Sequence, residues 1–111
     1  MPKFVYVYHA PAPPPDAPQP SPEQMAEVME AWNQWAGGLG DRLLDFGTPL
    51  AEGVRVTADG TSASDRDVTG YSIIEADDLD AAVALAADHP HLQMPGGCEI
   101  EVHEAQAVPG M

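Results

Sequence analysis

Residues 69–92, TGYSIIEADDLDAAVALAADHPHL, decide the fold of this 111-residue chain. The first part of this stretch reads as a β-strand in which Ile73 and Ile74 point to opposite faces, because strand side chains have a period of two. Asp77 and Asp78 follow, where a side-chain oxygen can accept hydrogen bonds from the free N–H groups of a helix start. The stretch therefore predicts a strand, a capped turn and an amphipathic helix, in that order.

A proline ends the predicted helix. Pro90 restricts His89 away from helical geometry, so the helix should end at about Asp88. Before that point, several residues lie at the spacing of one apolar stripe, which we expect to be the buried face of the helix. They are Leu79, Ala82, Val83, Ala86 and Ala87.

An earlier strand and helix precede this unit. Residues 4–8 are a run of aromatic and branched side chains, which is typical of a strand buried on both faces. Ser21, Pro22 and Gln24 form a helix start, with a capping hydroxyl, a proline at the first helical position and a glutamine three residues after the cap. The apolar face predicted for this helix consists of Met25, Val28, Met29, Trp32, Trp35, Ala36 and Leu39.

A proline-rich segment separates the first strand from the first helix. Residues 10–22 contain seven prolines. Such a segment cannot form a helix interior or a sheet ladder and should be extended. We interpret residues 11–21 as a stiff connector within one domain, residues 1–111; a ligand for a proline-recognition groove is the alternative.

Three further strands complete the order. A second strand is predicted at residues 42–46 and a short third one at Val54–Thr57. The alternation of residues 98–103 predicts a last strand. The polar run 61–67 is predicted to be a surface loop. The fold class is therefore α+β, a ferredoxin-like βαββαβ sandwich with a small hairpin insert.

The composition argues against several kinds of partner and location. Four Lys and Arg against 18 Asp and Glu give a formal charge of −14, which repels phosphate backbones and anionic membrane surfaces. Cys98 is the single cysteine, so no internal disulfide can form and the zinc-binding cysteine spacings are absent. We see neither a signal peptide nor a long apolar run, and we expect a cytoplasmic protein that binds neither nucleic acid nor membrane.

The predicted sheet has more apolar surface than two helices can cover. Two helices shelter one face only, yet Val5 and Val7 oppose Phe4, Tyr6 and Tyr8 across the first strand. In the later strand, Ile73 likewise opposes Ile74. A large exposed apolar face is unusual for a monomer. A second copy of the same sheet is the expected cover, which predicts a two-fold homodimer with a barrel between the subunits.

A combination of motifs along the chain resembles a known family. The motifs are Trp32, Trp35, Leu39 and Gly40; DFGTPL at 45–50; TGYSIIEA at 69–76; LDAA at 79–82; Ala86 with HPHL at 89–92; and EIEV at 99–102. The chain resembles the YCII-related proteins, in particular the branch called DGPF-domain proteins. The resemblance implies a dimeric α+β barrel of ferredoxin-like subunits, and it implies little about activity.

Two features of that family are absent. In YCII-type members, a His on the first helix and an Asp near the end of the second have been regarded as an acid/base pair, and here Trp32 and His89 stand at those positions. The Asp-Gly-Pro-Phe signature is also missing, since residues 64–68 read SDRDV. The resemblance therefore does not carry a catalytic role to this chain.

Two histidines after the second helix are the main candidates for chemistry. His89 and His91 could serve as acid/base groups, as metal ligands or as plain turn residues. A metal site would need a third ligand such as His9, Asp45 or His103, and no spacing predicts that these converge. Cys98 is expected to be packed rather than reactive.

Two functions remain open at this point. The first is a small-molecule-binding dimer that acts as an acid/base enzyme on a small cyclic or aromatic compound, with Asp45 and His89 catalytic and Trp32, Tyr71 and His91 lining the cavity. The second is a non-catalytic dimeric interaction or structural module. No cofactor and no metal are predicted. A histidine with a strongly shifted pKa that depends on Asp45 would favour the enzyme. Four histidines with ordinary pKa values would favour the interaction module.

Overall fold

The computed structural model describes residues 2–11, 16, 21–51, 53–64, 67–94 and 97–107. Short 3₁₀ turns at Gly40–Arg42 and Pro90–Gln93 follow the two α-helices. In chain order, the strands and helices are β1 Lys3–His9, α1 Pro22–Leu39, β2 Leu43–Asp45, β3 Val54–Thr57, β4 Gly60–Ala63, β5 Val68–Glu75, α2 Leu79–Ala87 and β6 Glu99–Glu104.

Four of the strands form one antiparallel sheet in the order β2-β5-β1-β6. The strands β1 and β2 flank β5, and α1 connects them; β5 and β6 flank β1, and α2 connects them. Each helix therefore joins two parallel strands across a third strand, which is the split βαβ arrangement. The fold is ferredoxin-like α+β, as predicted.

Both helices begin where their capping residues predict. The Ser21 hydroxyl accepts from the Gln24 N–H at 3.1 Å, and the Gln24 side chain accepts from the Ser21 N–H at 2.9 Å. The Asp78 carboxylate accepts from the Ala81 N–H at 2.8 Å and caps α2. These bonds satisfy N–H groups that have no partner inside the helix. Both predicted starts are confirmed.

The core lies between one face of the sheet and the two helices. Phe4, Tyr6 and Tyr8 are buried on this face, whereas Val5 and Val7 on the other face are half-buried, in agreement with the strand period. Hydrophobic burial drives this packing. The other buried apolar members are Trp35, Leu39, Ile74, Ala76, Ala82 and Ala86.

Hydrogen bonds join the core layers. The Tyr6 hydroxyl donates to the Ala82 carbonyl at 2.5 Å, and the Trp35 indole N–H donates to the Leu85 carbonyl at 3.0 Å. The small side chain of Ala82 lets α2 approach the sheet closely enough for the first of these bonds. The two helices and the sheet are thereby tied together through aromatic side chains.

Two predicted features are wrong in part. The stripe predicted for α2 included Leu79 and Val83, which are 50% and 49% exposed, because the buried face is centred on Ala82 and Ala86. Met25 and Met29 on α1 are likewise about half exposed, at 46% and 51%. The buried part of α1 is its second half, where Trp35 and Leu39 meet the sheet.

The insert between β2 and β5 is a hairpin, and its second strand was not predicted. Residues 61–63 of β4 lie in the run 61–67 that was predicted to be a loop, but β4 pairs with β3 in a separate two-stranded sheet, with Val54 opposite Ala63. Its small polar residues lack the alternation that signals a strand, so only the pairing reveals it. The interpretation of residues 11–21 as an extended connector falls mostly on residues outside those described.

No helix in the described ranges is long and apolar enough to cross a membrane.

Candidate functional site

His89 is the central residue of the candidate site. Pro90 stops α2, so His89 has an extended backbone, with φ −68° and ψ 134°, and it caps the following 3₁₀ turn. This conformation turns the imidazole inward, and the residue has no exposed surface. The proline stop that the sequence predicts therefore positions a buried histidine.

The hydrogen bonds of His89 determine its tautomer. Its Nδ1 accepts from the backbone N–H of His91 at 3.0 Å and so carries no proton. The neutral ring must then hold its proton on Nε2, which lies 3.0 Å from the Tyr8 hydroxyl. His89 therefore donates to Tyr8 through Nε2.

A directional chain of hydrogen bonds continues from Tyr8. The Tyr8 hydroxyl donates to the Ser72 hydroxyl at 2.7 Å, and Ser72 donates to the backbone carbonyl of Phe46 at 2.7 Å. Tyr8 and Ser72 are buried, and each donor in this series of three hydrogen bonds has its acceptor. Such a satisfied buried network fixes the positions of its members.

Aromatic rings surround the imidazole. The centres of the Trp35, Trp32 and Tyr8 rings lie 4.1, 4.4 and 4.9 Å from the centre of the His89 ring. Burial, followed by repulsion from His91, lowers the pKa of His89 to about 3. Burial also raises the pKa of Tyr8 to about 12. Both groups are therefore neutral at pH 7.

His91 lies beside this cluster and is bonded differently. Its Nε2 is 2.9 Å from the carbonyl oxygen of His9, and since a carbonyl can only accept, that nitrogen carries a proton. Its Nδ1 has no partner among the described residues. His91 is only 4% exposed, but every fully buried side-chain nitrogen or oxygen among the described residues has a partner, so this Nδ1 is not fully buried.

The five predicted site residues divide into two groups. Trp32, His89 and His91 lie together, with the ring centres of Trp32 and His91 6.2 Å apart. Asp45 is exposed on the edge strand β2, where its carboxylate accepts from the Gly47 N–H at 2.8 Å, and among the described residues it makes no hydrogen bond with His89. Tyr71 lies on the face of β5 opposite to that of the buried Ser72.

A histidine with a strongly shifted pKa that depends on Asp45 would be the sign of an enzyme, and the structure meets only the first half of this condition. One histidine has a strongly shifted pKa, but the causes are burial and His91 rather than Asp45. Tyr8, Ser72 and Phe46 belong to the site and were not predicted as site residues. The strand period places Tyr8 on the buried face, but only the antiparallel register, with Tyr8 opposite Gly70, brings it near Ser72.

A second polar cluster surrounds His9. Its Nδ1 lies 2.9 Å from an Asp67 carboxylate oxygen and its Nε2 lies 2.7 Å from one of Glu101, so the ring must be doubly protonated to donate to both. Burial by itself lowers the pKa of His9, but the bonds to Asp67 and Glu101 outweigh it, and the net shift is upward. Among the described residues, no three His, Cys, Asp or Glu side chains form a group that could hold a metal ion.

Comparison with known proteins identifies the family. The family model described as the YCII-related domain matches residues 4–106. The chain belongs to the YCII-related family. The assignment to the DGPF branch of the YCII-related proteins stays a prediction.

The other comparisons add little to the YCII-related assignment. No curated protein matches the chain. A structural match is a hydantoinase/carbamoylase family amidase from Burkholderia ambifaria, with 18% identity and a TM-score of 0.33. The match covers 97% of this chain and 28% of that chain, so the chain spans less than a third of that protein. A similarity this low supports no argument about fold or activity.

Proposed function

We propose that this YCII-related protein is a dimeric small-molecule-binding protein that holds a small planar compound against Trp32 and His91. The observation that carries the proposal is the grouping of Trp32, His89 and His91 around Tyr8, with Trp32 half-buried rather than covered. Binding sites for small molecules are typically aromatic surfaces with a few placed polar groups. Acid/base catalysis at this site is part of the proposal, with a proton exchanged by a histidine.

The chemistry favours a neutral ligand with a flat apolar body. Indole and imidazole faces bind planar rings by stacking or edge contacts. The formal charge of −14 disfavours anionic ligands at long range. Asp45 lies outside the Trp32 and His91 group, so the site that we propose uses the histidines without that carboxylate.

Binding of indole, a planar probe, tests the proposal. We expect indole to perturb the NMR signals of the Trp32 side chain and the His91 ring in a saturable manner, and Trp32→Leu to abolish the effect. Tyr71→Phe is the control, because Tyr71 follows the other face of β5. Loss of binding in Tyr71→Phe but not in Trp32→Leu would place the site on the outer face and contradict the proposal. A structure grown without added ligands, inspected beside His89, gives an independent test.

The dimer is proposed to form through the outer face of the sheet. Val5, Val7, Tyr71 and Ile73 share this face, as the register of β1 and β5 requires, and each is only half-buried in a single chain. A second copy of the face would cover this apolar surface.

Sedimentation velocity tests the dimer. We expect two chains per particle at micromolar concentration and a single chain after Ile73→Lys, which adds a charge to the proposed interface. Val83→Lys on the exposed side of α2 is the matched control and should leave the dimer intact. A wild-type protein that sediments as a single chain contradicts this part of the proposal.

The second candidate function, a non-catalytic interaction module, has its own support. The β3–β4 hairpin carries Val54 and Val56, which are 66% and 75% exposed, with Ala63 and Thr61 opposite them on the same face. Isolated two-stranded hairpins are marginally stable, so a partner that covers this face would stabilise it. Under this alternative, the Trp32→Leu variant would keep its binding partner and Val56→Ser would lose it. The cytoplasmic location predicted from the sequence is compatible with both candidate functions.

A further inference from the structure

We propose that the Trp32 indole N–H and Nδ1 of His91 form a donor–acceptor pair that binds a neutral planar cis-amide, such as a lactam or imide. His91, rather than His89, is then the residue that exchanges a proton with the ligand. This inference deepens the proposed function and rests on it.

His89 is committed to hydrogen bonds within the protein. Both of its ring nitrogens are used inside the protein: Nδ1 accepts from the His91 N–H, and Nε2–H donates to Tyr8. Proton gain at Nδ1 would break the bond to the His91 backbone and place a charge among Trp32 and Trp35. His89 therefore supports the site as a positioning residue and does not act as a base.

His91 has one ring nitrogen that makes no hydrogen bond with the described residues. Its Nε2–H is held by the carbonyl of His9, which leaves the lone pair on Nδ1. A hydrogen bond or a proton can be accepted there without breaking any bond of the described residues. The backbone N–H of His91 also holds His89 in place, so the two histidines divide the roles of acceptor and support.

Trp32 supplies a hydrogen-bond donor beside His91. The Trp32 indole N–H has no partner among the described residues and, by the same reasoning as for His91, is not fully buried. The centres of the Trp32 and His91 rings are 6.2 Å apart. In a ligand that has an N–H beside a C=O, the N–H can donate to Nδ1 of His91, and the carbonyl oxygen can accept from the Trp32 indole N–H. The shape of such a cis-amide is planar, which suits a cluster of aromatic rings.

The experiment compares the binding of 2-pyridone with that of N-methyl-2-pyridone at pH 8. The two compounds have the same ring and carbonyl, but the methyl group removes the N–H donor. We expect N-methyl-2-pyridone to bind at least about fivefold more weakly, the factor that corresponds to about 1 kcal/mol for one hydrogen bond. His91→Gln, which retains an N–H for the His9 carbonyl but no acceptor at the position of Nδ1, should remove this preference. His103→Gln at an exposed histidine is the matched control and should keep it.

Ring-nitrogen NMR of the wild type provides a test that needs no variant. We expect His91 to carry its proton on Nε2 at pH 8, and its Nδ1 signal to shift on addition of 2-pyridone while Nδ1 of His89 does not. A proton on Nδ1 of His91, or a ligand-induced shift at Nδ1 of His89 instead, overturns the assignment. Equal binding of both pyridones, or of neither, overturns the ligand class. If the pyridones do not distinguish the N–H donor but indole binds saturably at Trp32, the proposed function stands and only the cis-amide ligand is wrong. If indole does not bind either, both proposals are wrong.

Discussion

At the scale of single residues, the candidate site depends on where protons lie. His89 is buried with a lowered pKa, whereas His9 is bridged by two carboxylates with a raised pKa. The two shifts have opposite signs because burial opposes charge and neighbouring anions favour it. The tautomers of His89 and His91 follow from a backbone N–H and a backbone carbonyl, which have fixed roles as donor and acceptor.

The opposite shifts predict that stability is highest near pH 6.5. His89 stays neutral in the fold down to about pH 3, so the unfolded chain binds the additional proton below pH 6.5 and stability falls with decreasing pH, by up to about 1.4 kcal/mol per pH unit. The stability that protonated His9 contributes is lost as the pH rises above 6.5 through its raised pKa.

Urea unfolding between pH 5 and 9 measures both slopes. His9→Gln should flatten the decrease above pH 6.5 and leave the decrease below it. Stability that rises continuously from pH 6.5 to pH 9 would contradict the structure of the His9 cluster.

Removal of the Tyr8 hydroxyl tests the buried chain. Tyr8→Phe leaves the Nε2–H of His89 without its acceptor in a fully buried place, and it also removes the donor to Ser72. We expect a loss of about 1–3 kcal/mol in the free energy of unfolding. Tyr71→Phe on the other face of β5 is the control, with a loss of less than about 1 kcal/mol expected in the same urea titration.

At the scale of elements, caps and glycines set where chain segments begin, end and approach each other. Gly47 has φ +81°, and a Cβ placed there would lie 1.7 Å from the carbonyl oxygen of Tyr71. The loop after β2 therefore touches the backbone of β5 at a point where only glycine fits. Gly38, by contrast, lies within α1, and a Cβ added there would meet nothing within 4 Å.

The two glycines predict alanine substitutions of opposite effect. Gly47→Ala should destabilise the protein by more than about 2 kcal/mol, because the loop must move away from Tyr71 and adopt a strained φ. Gly38→Ala should stabilise it by about 0.5–1 kcal/mol through helix propensity. Thermal unfolding monitored by circular dichroism compares them; equal effects of both substitutions would show that the Gly47 contact does not exist in solution.

At the scale of the whole molecule, charge is the dominant feature. Eighteen acidic residues against four basic ones lead to self-repulsion in the folded state. Added salt screens interactions between exposed charges, with a Debye length of about 8 Å at 0.15 M. The net effect of salt therefore depends on whether general repulsion or the local His9 bridges dominate.

We predict that salt stabilises the folded protein. Fourteen excess negative charges outnumber the His9 bridges, so the midpoint of thermal unfolding should rise between 10 and about 150 mM sodium chloride at pH 7. His9→Gln should show a larger rise, because it lacks the bridges that salt weakens. A midpoint that falls with salt in the wild type would mean that specific ion pairs outweigh the net charge.

The sequence by itself determined the local events and the family. The caps at Ser21 and Asp78, the stop at Pro90, the two faces of β1 and the ferredoxin-like order all follow from residues close together in the chain. Only the tertiary structure decided which side chains meet in the site. Tyr8, Phe46, Ser72 and His89 come from four separate segments, and their grouping depends on strand register and helix approach. Hydrogen-bond partners so far apart in sequence leave no local pattern, which is why the proton positions of His89 and His91, and the separation of Asp45 from both, required the fold.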